Sequence, residues 1–387
     1  MRVLHLTTEF PPVIYGGLGT AVGGLVRASA IAGMSVGVLL IGHHAGDAYG
    51  QIMLSPSSST LMPVRGGKPD ATLFEVVFDD FDAMIALAAR WQPDILHLHT
   101  FWLWPIAQAL RRRLGTPLVY TVHSLDRAEY ELGHGPAECV SQWTGQEEVI
   151  YGSDRIITLT NSERNLLKQY CPGVDDRIRV VGNGIEDQLL PASRRNTGND
   201  SLIVLFSGRF VDRKGIWELM QAMAIVLAEI PAIRFVLAGG HRHCTGQEME
   251  EWLMPSQLKP YREQILFTGW LTATQMTEWY RASDILVVPS WYEPFGMVIL
   301  EGMLHGLAIA ASAVGGPAEI LEHESSGLLF TPRSGPALAK AVIRLAEDPA
   351  YRARISETGA RVVRQQWLWP RIVDQMKSVY LELATLP

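Results

Sequence analysis

Apolar residues along this chain fall into short dense runs, separated by stretches where they recur every three or four positions. The dense runs at residues 3–6, 36–41, 73–78, 94–99, 118–123 and 156–160 read as strands buried on both faces, with a further short strand at 179–182. The stretches at 20–32, 82–91, 105–114, 140–151 and 162–170 carry helical periodicity. Residues 43–70 and 124–136 are rich in Gly, Ser, Pro or charge and read as loops. The rhythm stops at residues 190–200, which are almost free of apolar side chains, and then restarts. Strands follow at 202–206, 233–238, 265–268, 285–288, 308–311 and 327–330, again alternating with helices, and the chain ends in helices at 335–346, 350–366 and 370–383. Strand–helix alternation on this scale predicts an α/β protein with two Rossmann-like domains, each built on a parallel sheet with helices on both faces. The polar stretch is the expected linker, with domains at 1–190 and 198–368.

Composition narrows the class. Hydrophobic residues make up 48% of the chain and charged residues 19%, which excludes a disordered protein. A net charge of −7 gives no basic field for nucleic acid. Arg111-Arg112-Arg113 is the local exception: either a solvated helix end or a contact for phosphate or anionic lipid. The three cysteines, Cys139, Cys171 and Cys244, show neither disulfide nor zinc spacing, which favours a reducing, cytoplasmic compartment. No charged-then-apolar leader and no membrane-length apolar run is visible, although peripheral membrane contact stays open.

Candidate chemistry lies at strand ends. In the second half, Glu293 sits in the loop after strand 285–288 and Glu301 in the helix beyond it. Between them, Phe295-Gly296-Met297-Val298 places bare backbone at a helix N-terminus, whose unpaired N–H groups and partial positive charge suit a phosphate. Gly208, Arg209 and Lys214 follow the first strand of that half. A forked guanidinium and a mobile ammonium converging there suit a diphosphate. In the first half, Gly16-Gly17-Leu18-Gly19 opens a helix without the spacing of a dinucleotide fingerprint. Asp80-Phe81-Asp82 reads as a helix start or as a DxD metal pair, the former preferred. His97 and His99 share one strand face with no further metal ligand nearby in sequence, and His123 ends the next strand. Phe101, Trp102 and Trp104 are expected in the core, with stacking on a sugar or lipid as the alternative.

These segments resemble one family. Ser207-Gly-Arg-Phe-Val-Asp-Arg-Lys-Gly215, Pro289 to Met303, Gly315-Gly-Pro-Ala-Glu319 and Gly327-Leu-Leu-Phe330 look like the donor half of the retaining glycosyltransferases of family 4, also called group 1. Glu293 and Glu301 stand in that family's EX7E spacing, and Gly16 to Gly19, Thr121-Val-His123 and Asn183-Gly184-Ile185 match in the first half. The resemblance implies a GT-B fold, two Rossmann-like domains facing across a cleft, with the final helix (370–387) crossing back to the first. It further implies transfer of a hexosyl group from a UDP-, GDP- or ADP-sugar to a carbohydrate or glycolipid hydroxyl, with retention, by front-face attack, and with neither metal nor cofactor. In that frame Arg209 and Lys214 neutralise the diphosphate, and Glu301 takes the ribose. Glu293 binds the transferred sugar, backbone from Phe295 to Val298 holds phosphate and sugar, Gly17 admits the phosphates, and His123 faces the donor sugar. The loop at 9–19 is also similar to the glycogen and starch synthase branch, but Ile14 and Thr20 replace that branch's Lys and Asp. A glucan synthase, or a sugar-nucleotide epimerase on the same fold, stays as the alternative.

Overall fold

The structure, a computed structural model, describes residues 1–11, 14, 16–44, 47–54, 72–77, 81–135, 138–187, 201–240 and 244–384. The chain divides into two compact units. The first comprises Met1–Asp126, Glu138–Glu186 and Trp367–Pro387; the second comprises Arg127–Ala137 and Asp187–Gln366. The expected linker at 190–200 lies outside the described residues.

The first unit holds β1 (Arg2–Thr7), β2 (Ser35–His44), β3 (Asp47–Leu54), β4 (Thr72–Val77), β5 (Ile95–Leu98), β6 (Leu118–Val122), β7 (Arg155–Thr158) and β8 (Ile178–Val180). Among the described residues they form one eight-stranded sheet in the order β4-β3-β2-β1-β5-β6-β7-β8. The six strands from β2 to β8 in that order run parallel. Every residue of β5 and β6 is buried, which is why these strands read as continuous apolar runs rather than alternating ones.

Two expectations are corrected here. β3 lies inside the stretch expected to be a loop, and it pairs antiparallel with both β2 and β4, so the first sheet is mixed. Its sequence, with Asp47 and Gly50, carries little strand propensity; the ladders on both sides supply what local preference does not. The expected loop at 124–136 contains a helix, Asp126–Gly133, most of which belongs to the second unit. Only Ala128 and Gly133 are buried along it, too few to mark a periodic face.

The glycine-opened helix begins at Gly17 rather than at residue 20 and runs to Ile31. It packs beside the final helix, Trp369–Ala384, and both contribute to the core of the first unit. Trp369 is the joint. A side chain at Gly24 would come within 2.4 Å of its indole, and one at Gly184 within 2.6 Å. Backbone bonds from Ile185 N to Trp367 O (2.8 Å) and from Trp369 N to Ile185 O (3.2 Å) fix the entry of that helix. The helix after β4 starts at Phe81, with Asp82 in its first turn, while Asp80 lies outside the described residues.

The second unit holds β9 (Ile203–Gly208), β10 (Arg234–Gly239), β11 (Ile265–Gly269), β12 (Ile285–Val288), β13 (Ala308–Ser312) and β14 (Leu328–Phe330). Its order is β11-β10-β9-β12-β13-β14, all parallel. The helices Ile216–Glu229 and Gly335–Glu347 bury their apolar stripes in its core. In this order the chain leaves β9 toward one side and β12 toward the other. The loops after those two strands therefore flank a crevice at the carboxyl ends, where open parallel sheets bind ligands. The first sheet reverses in the same way between β1 and β5.

Replacing Trp369 with Ala removes a buried indole from a slot lined by two glycines that offer nothing to refill it. Urea unfolding of Trp369→Ala is expected to show a loss of about 3–5 kcal/mol; a change within experimental error would show that the joint does not hold the first unit.

Candidate active site

The crevice between β9 and β12 is built by backbone. After β9 the chain turns through a short helical turn, Asp212–Lys214, into Gly215. Gly215 has φ of +69°, and a Cβ there would sit 2.0 Å from the carbonyl oxygen of Pro289, so only glycine lets the two loops meet. Trp291 N donates to Arg213 O (2.7 Å), closing the same contact. On the other side Gly316 N donates to Glu293 O (2.9 Å), and a Cβ on Gly316 would overlap Phe295 O. The loop 289–296 is thus clasped from both sides before any side chain acts.

Into this clasp the sequence places Lys214 and Glu293. The Lys214 ammonium pairs directly with Glu293 Oε2, and Ser290 Oγ donates to the same oxygen (3.2 Å). Glu293 is 7% exposed. Burial alone raises its carboxyl. The Lys214 and Arg213 charges, with hydrogen bonds from Lys214 and Ser290, outweigh burial and hold it below its usual range. For Lys214 the balance goes the other way. Burial lowers its ammonium, the Glu293 charge opposes that, and Arg213 and Arg209 add to the cost. Arg213 stabilises the acid and destabilises the ammonium, and with Arg209 also acting on Lys214 the cluster carries surplus positive potential. Arg213 is itself held by Glu129 through a 2.5 Å ion pair. Arg209 stands exposed just past β9.

Beyond the loop, Gly296 (φ +100°) precedes the helix Met297–Leu304, which has no side-chain cap. Ile299 N bonds Gly296 O, so the N–H groups of Met297 and Val298 are the orphan donors of the first turn. Glu301, one turn further on, has a different partner from Glu293: Tyr280 Oη donates to its Oε2 at 2.6 Å. Burial raises the Glu301 carboxyl and the Tyr280 bond opposes that rise. The His305 ring stacks on Tyr280 with centroids 5.2 Å apart, and His305 Nδ1 donates to Glu301 O (2.8 Å).

In the first unit, His5, His97, His99 and His123 gather at the reversal between β1 and β5 and at the adjoining end of β6. His97 is bonded through Nδ1 to Tyr380 Oη (2.6 Å) and through Nε2 to Thr121 Oγ1 (2.7 Å). His99 is bonded through Nε2 to His5 Nδ1 (2.9 Å) and through Nδ1 to His123 Nε2 (3.2 Å). Burial lowers His5 to about 3 and His123 to about 4. Burial, then the neighbouring histidines, also depresses His97 and His99, so the cluster is neutral at physiological pH. His5, His97 and His99 bring nitrogens within 4.8 Å of one another, the spacing of a loose metal triad. Both nitrogens of His97 and of His99 are already committed, however, and a cation would have to break those bonds. His99, His123, Thr121 and Asn183 also border a small, mostly apolar cavity beside Trp369.

A family model described as Glycosyl transferases group 1 matches residues 192–362, and one described as Glycosyltransferase Family 4 matches residues 15–189. The chain belongs to the group 1 glycosyltransferases. This glycosyltransferase is 28% identical over 408 residues to the glycogen synthase of Mycobacterium tuberculosis, covering 98% of this chain and 94% of that one. Among solved structures, sucrose-phosphate synthase from Thermosynechococcus elongatus shares its fold with a TM-score of 0.75 at 24% identity, over 99% of both chains. Anabaena HepE, in complex with UDP and glucose, gives a TM-score of 0.72 at 20% identity over the whole of both chains. The fold is GT-B.

Of the residues picked out from sequence in this transferase, the structure brings Lys214 and Glu293 into contact and places Gly208, Arg209, Phe295, Gly296, Met297 and Val298 around the same crevice. Glu301 lies in that crevice's helix with Tyr280 as partner. Gly17 opens its helix with no atom near its missing side chain. Sequence reasoning missed Arg213, Ser290, Tyr280 and His5, whose partners are far away in the chain; only the Ser290–Glu293 spacing was local. Trp102, expected in the core, is 59% exposed against Phe101. Arg111 of the basic run is answered by Asp154 at 2.7 Å, while Arg112 and Arg113 are exposed. Among the described residues no helix is long and apolar enough to cross a membrane.

Because the Glu293 carboxyl is depressed, the stability it contributes is present above its ordinary value of 4.5 and is lost as pH falls through its lower folded value. Lys214→Met leaves that carboxylate buried without its main counter-charge and is expected to cost about 3–5 kcal/mol at pH 7. The deficit should shrink as pH falls and the acid protonates, and in the Lys214→Met/Glu293→Leu double variant. Denaturant titrations at several pH values check both; a pH-independent deficit would contradict the pairing.

Proposed function

We propose that this enzyme moves a hexosyl group from a nucleotide-diphosphate sugar to a hydroxyl of a carbohydrate or glycolipid acceptor, with retention, by front-face transfer and without a metal. The observation that carries the reading is the clasped Lys214–Glu293 pair beside Arg209 and the uncapped helix at Met297. This is a preformed, positively biased pocket at the carboxyl end of a parallel sheet.

The chemistry follows from where charge develops. Breaking the bond between the anomeric carbon and the diphosphate oxygen sends the electron pair to the phosphate and leaves positive charge on the sugar. Lys214 retains ammonium donors beyond the one given to Glu293, and with Arg209 and the Met297 and Val298 N–H groups it meets the departing diphosphate. These groups take the place of a metal ion. Glu293 accepts from hydroxyls of the transferred sugar through the capacity that Lys214 and Ser290 leave unused. Glu301, with Oε2 engaged by Tyr280, accepts the ribose hydroxyls, and His123 contacts the transferred sugar. The acceptor hydroxyl attacks the face the phosphate is leaving and passes its proton to that phosphate oxygen, so no enzymic nucleophile is needed. The UDP and glucose held by Anabaena HepE support a nucleotide-sugar donor. The glycogen synthase relative favours ADP- or UDP-glucose among donors, whereas Ile14 and Thr20 in the glycine-rich loop weigh against a polymerising glucan synthase.

Incubation with UDP-, GDP- and ADP-sugars, with and without acceptors, is expected to release nucleoside diphosphate and yield a glycoside of the donor's anomeric configuration. An altered sugar nucleotide would indicate an epimerase, and an inverted product would exclude front-face transfer. The folded fraction of Lys214→Ala should turn over at least about a hundredfold more slowly, the scale of one preorganised electrostatic group. Chelators should leave the rate unchanged; loss in chelator with recovery in manganese would overturn the metal-free reading.

A further inference from the structure

His5, His99 and His123 form a continuous file of imidazoles in the first unit: His5 Nδ1 to His99 Nε2 at 2.9 Å, then His99 Nδ1 to His123 Nε2 at 3.2 Å. A neutral imidazole has one N–H and one bare nitrogen. Each bond in the file needs one of each, so the three protons are ordered together and only two directions exist. In one, every ring carries its proton on Nδ1 and donates outward, from His5 toward His123. In the other, every ring carries it on Nε2 and donates inward.

The far end of the file separates the two. His5 Nε2 is fully buried and has no hydrogen-bond partner among the described residues. The inward order puts an N–H there with nothing to accept it, which is the rarer kind of buried orphan; the outward order leaves a bare nitrogen. His97 stands outside the file, since Tyr380 and Thr121 take its two nitrogens, but its ring lies 4.1 Å from that of His99 and holds the latter in place.

We propose that His5 and His99 are positioning residues that fix the tautomer of His123, so that His123 carries its proton on Nδ1 and meets its ligand as a hydrogen-bond donor. The consequence for the reaction rests on the contact of His123 with the transferred sugar proposed above. A neutral Nδ1–H suits a sugar hydroxyl or diphosphate oxygen, and it does so without placing a second positive charge beside the sugar as that sugar becomes cationic.

The test is a two-bond 15N–1H correlation spectrum of the full-length protein labelled at histidine, with His5, His99 and His123 assigned by substitution. The expected spectrum shows all three as Nδ1–H tautomers. His5→Asn, whose amide N–H2 sits where the imidazole Nδ1–H was, should keep His123 in that form and keep kcat. His5→Met, which puts a sulfur that can accept but not donate where the Nδ1–H was, should turn the file round, shift His123 toward Nε2–H and lower kcat roughly tenfold, the scale of one lost hydrogen bond, with little change in donor KM. An Nε2–H tautomer at His123 in the wild type, which needs no variant to fold, would overturn the proposal; so would an unchanged His123 tautomer in His5→Met. Unchanged turnover in His123→Ala would fault the sugar contact instead, whatever the spectrum shows.

Discussion

Lys214 and Glu293 are two opposite charges taken out of water at the carboxyl end of a parallel sheet, and much of the second unit is arranged so that they can stay there. Desolvation penalises both. Their attraction repays it only because the geometry is imposed from outside: Gly215 lies against Pro289, Gly316 lies against Phe295, and backbone bonds run from Trp291 to Arg213 and from Gly316 to Glu293. A pair held this way does not collapse on itself when a ligand arrives. The lysine keeps unused donors, the glutamate keeps unused acceptor capacity, and the nearby guanidiniums keep the balance positive. On the proposed function, such a site is organised for a diphosphate in advance, which is the condition under which electrostatics lowers a barrier rather than merely binding substrate.

The two units solve the problem of burying polar groups differently. In the second, charge answers charge at Glu293, whereas at Glu301 burial raises the carboxyl and a tyrosine hydroxyl rather than a cation offsets part of that rise. In the first, four histidines stay neutral: His5, His99 and His123 bond one another in a file that leaves His5 Nε2 over, and Tyr380 and Thr121 take both nitrogens of His97. The contrast fits the proposed chemistry. The departing diphosphate demands positive potential, whereas the sugar, which becomes cationic, is better met by neutral donors and by carboxylates.

The alternation of apolar runs was enough to expose two α/β halves, because strands of a parallel sheet are buried on both faces and print themselves as unbroken apolar stretches. The spacing of Glu293, Phe295-Gly296 and Glu301 was equally legible, since a strand end, a loop and a helix start lie within thirteen residues. β3 was not, because its pairing with β2 and β4 overrides weak local propensity. Nor was the helix Asp126–Gly133, whose two buried residues make no periodic face. Trp102 misled for a related reason: an aromatic side chain carries apolar area but says nothing about whether its neighbours leave room inside.

What the sequence determined by itself was therefore local: which segments are strands, which are helices, and which strand ends carry acids, bases and glycines. Which of those groups touch was decided only in three dimensions. Lys214 and Glu293 are 79 positions apart, and His5 and His99 are 94 apart. Periodicity decays within a helix turn or two, so it carries no information about such partners. They meet because strand order places β9 beside β12 and β1 beside β5, and that order is selected by packing of whole layers. Tyr280, Arg213 and His5 owe their places to the same selection.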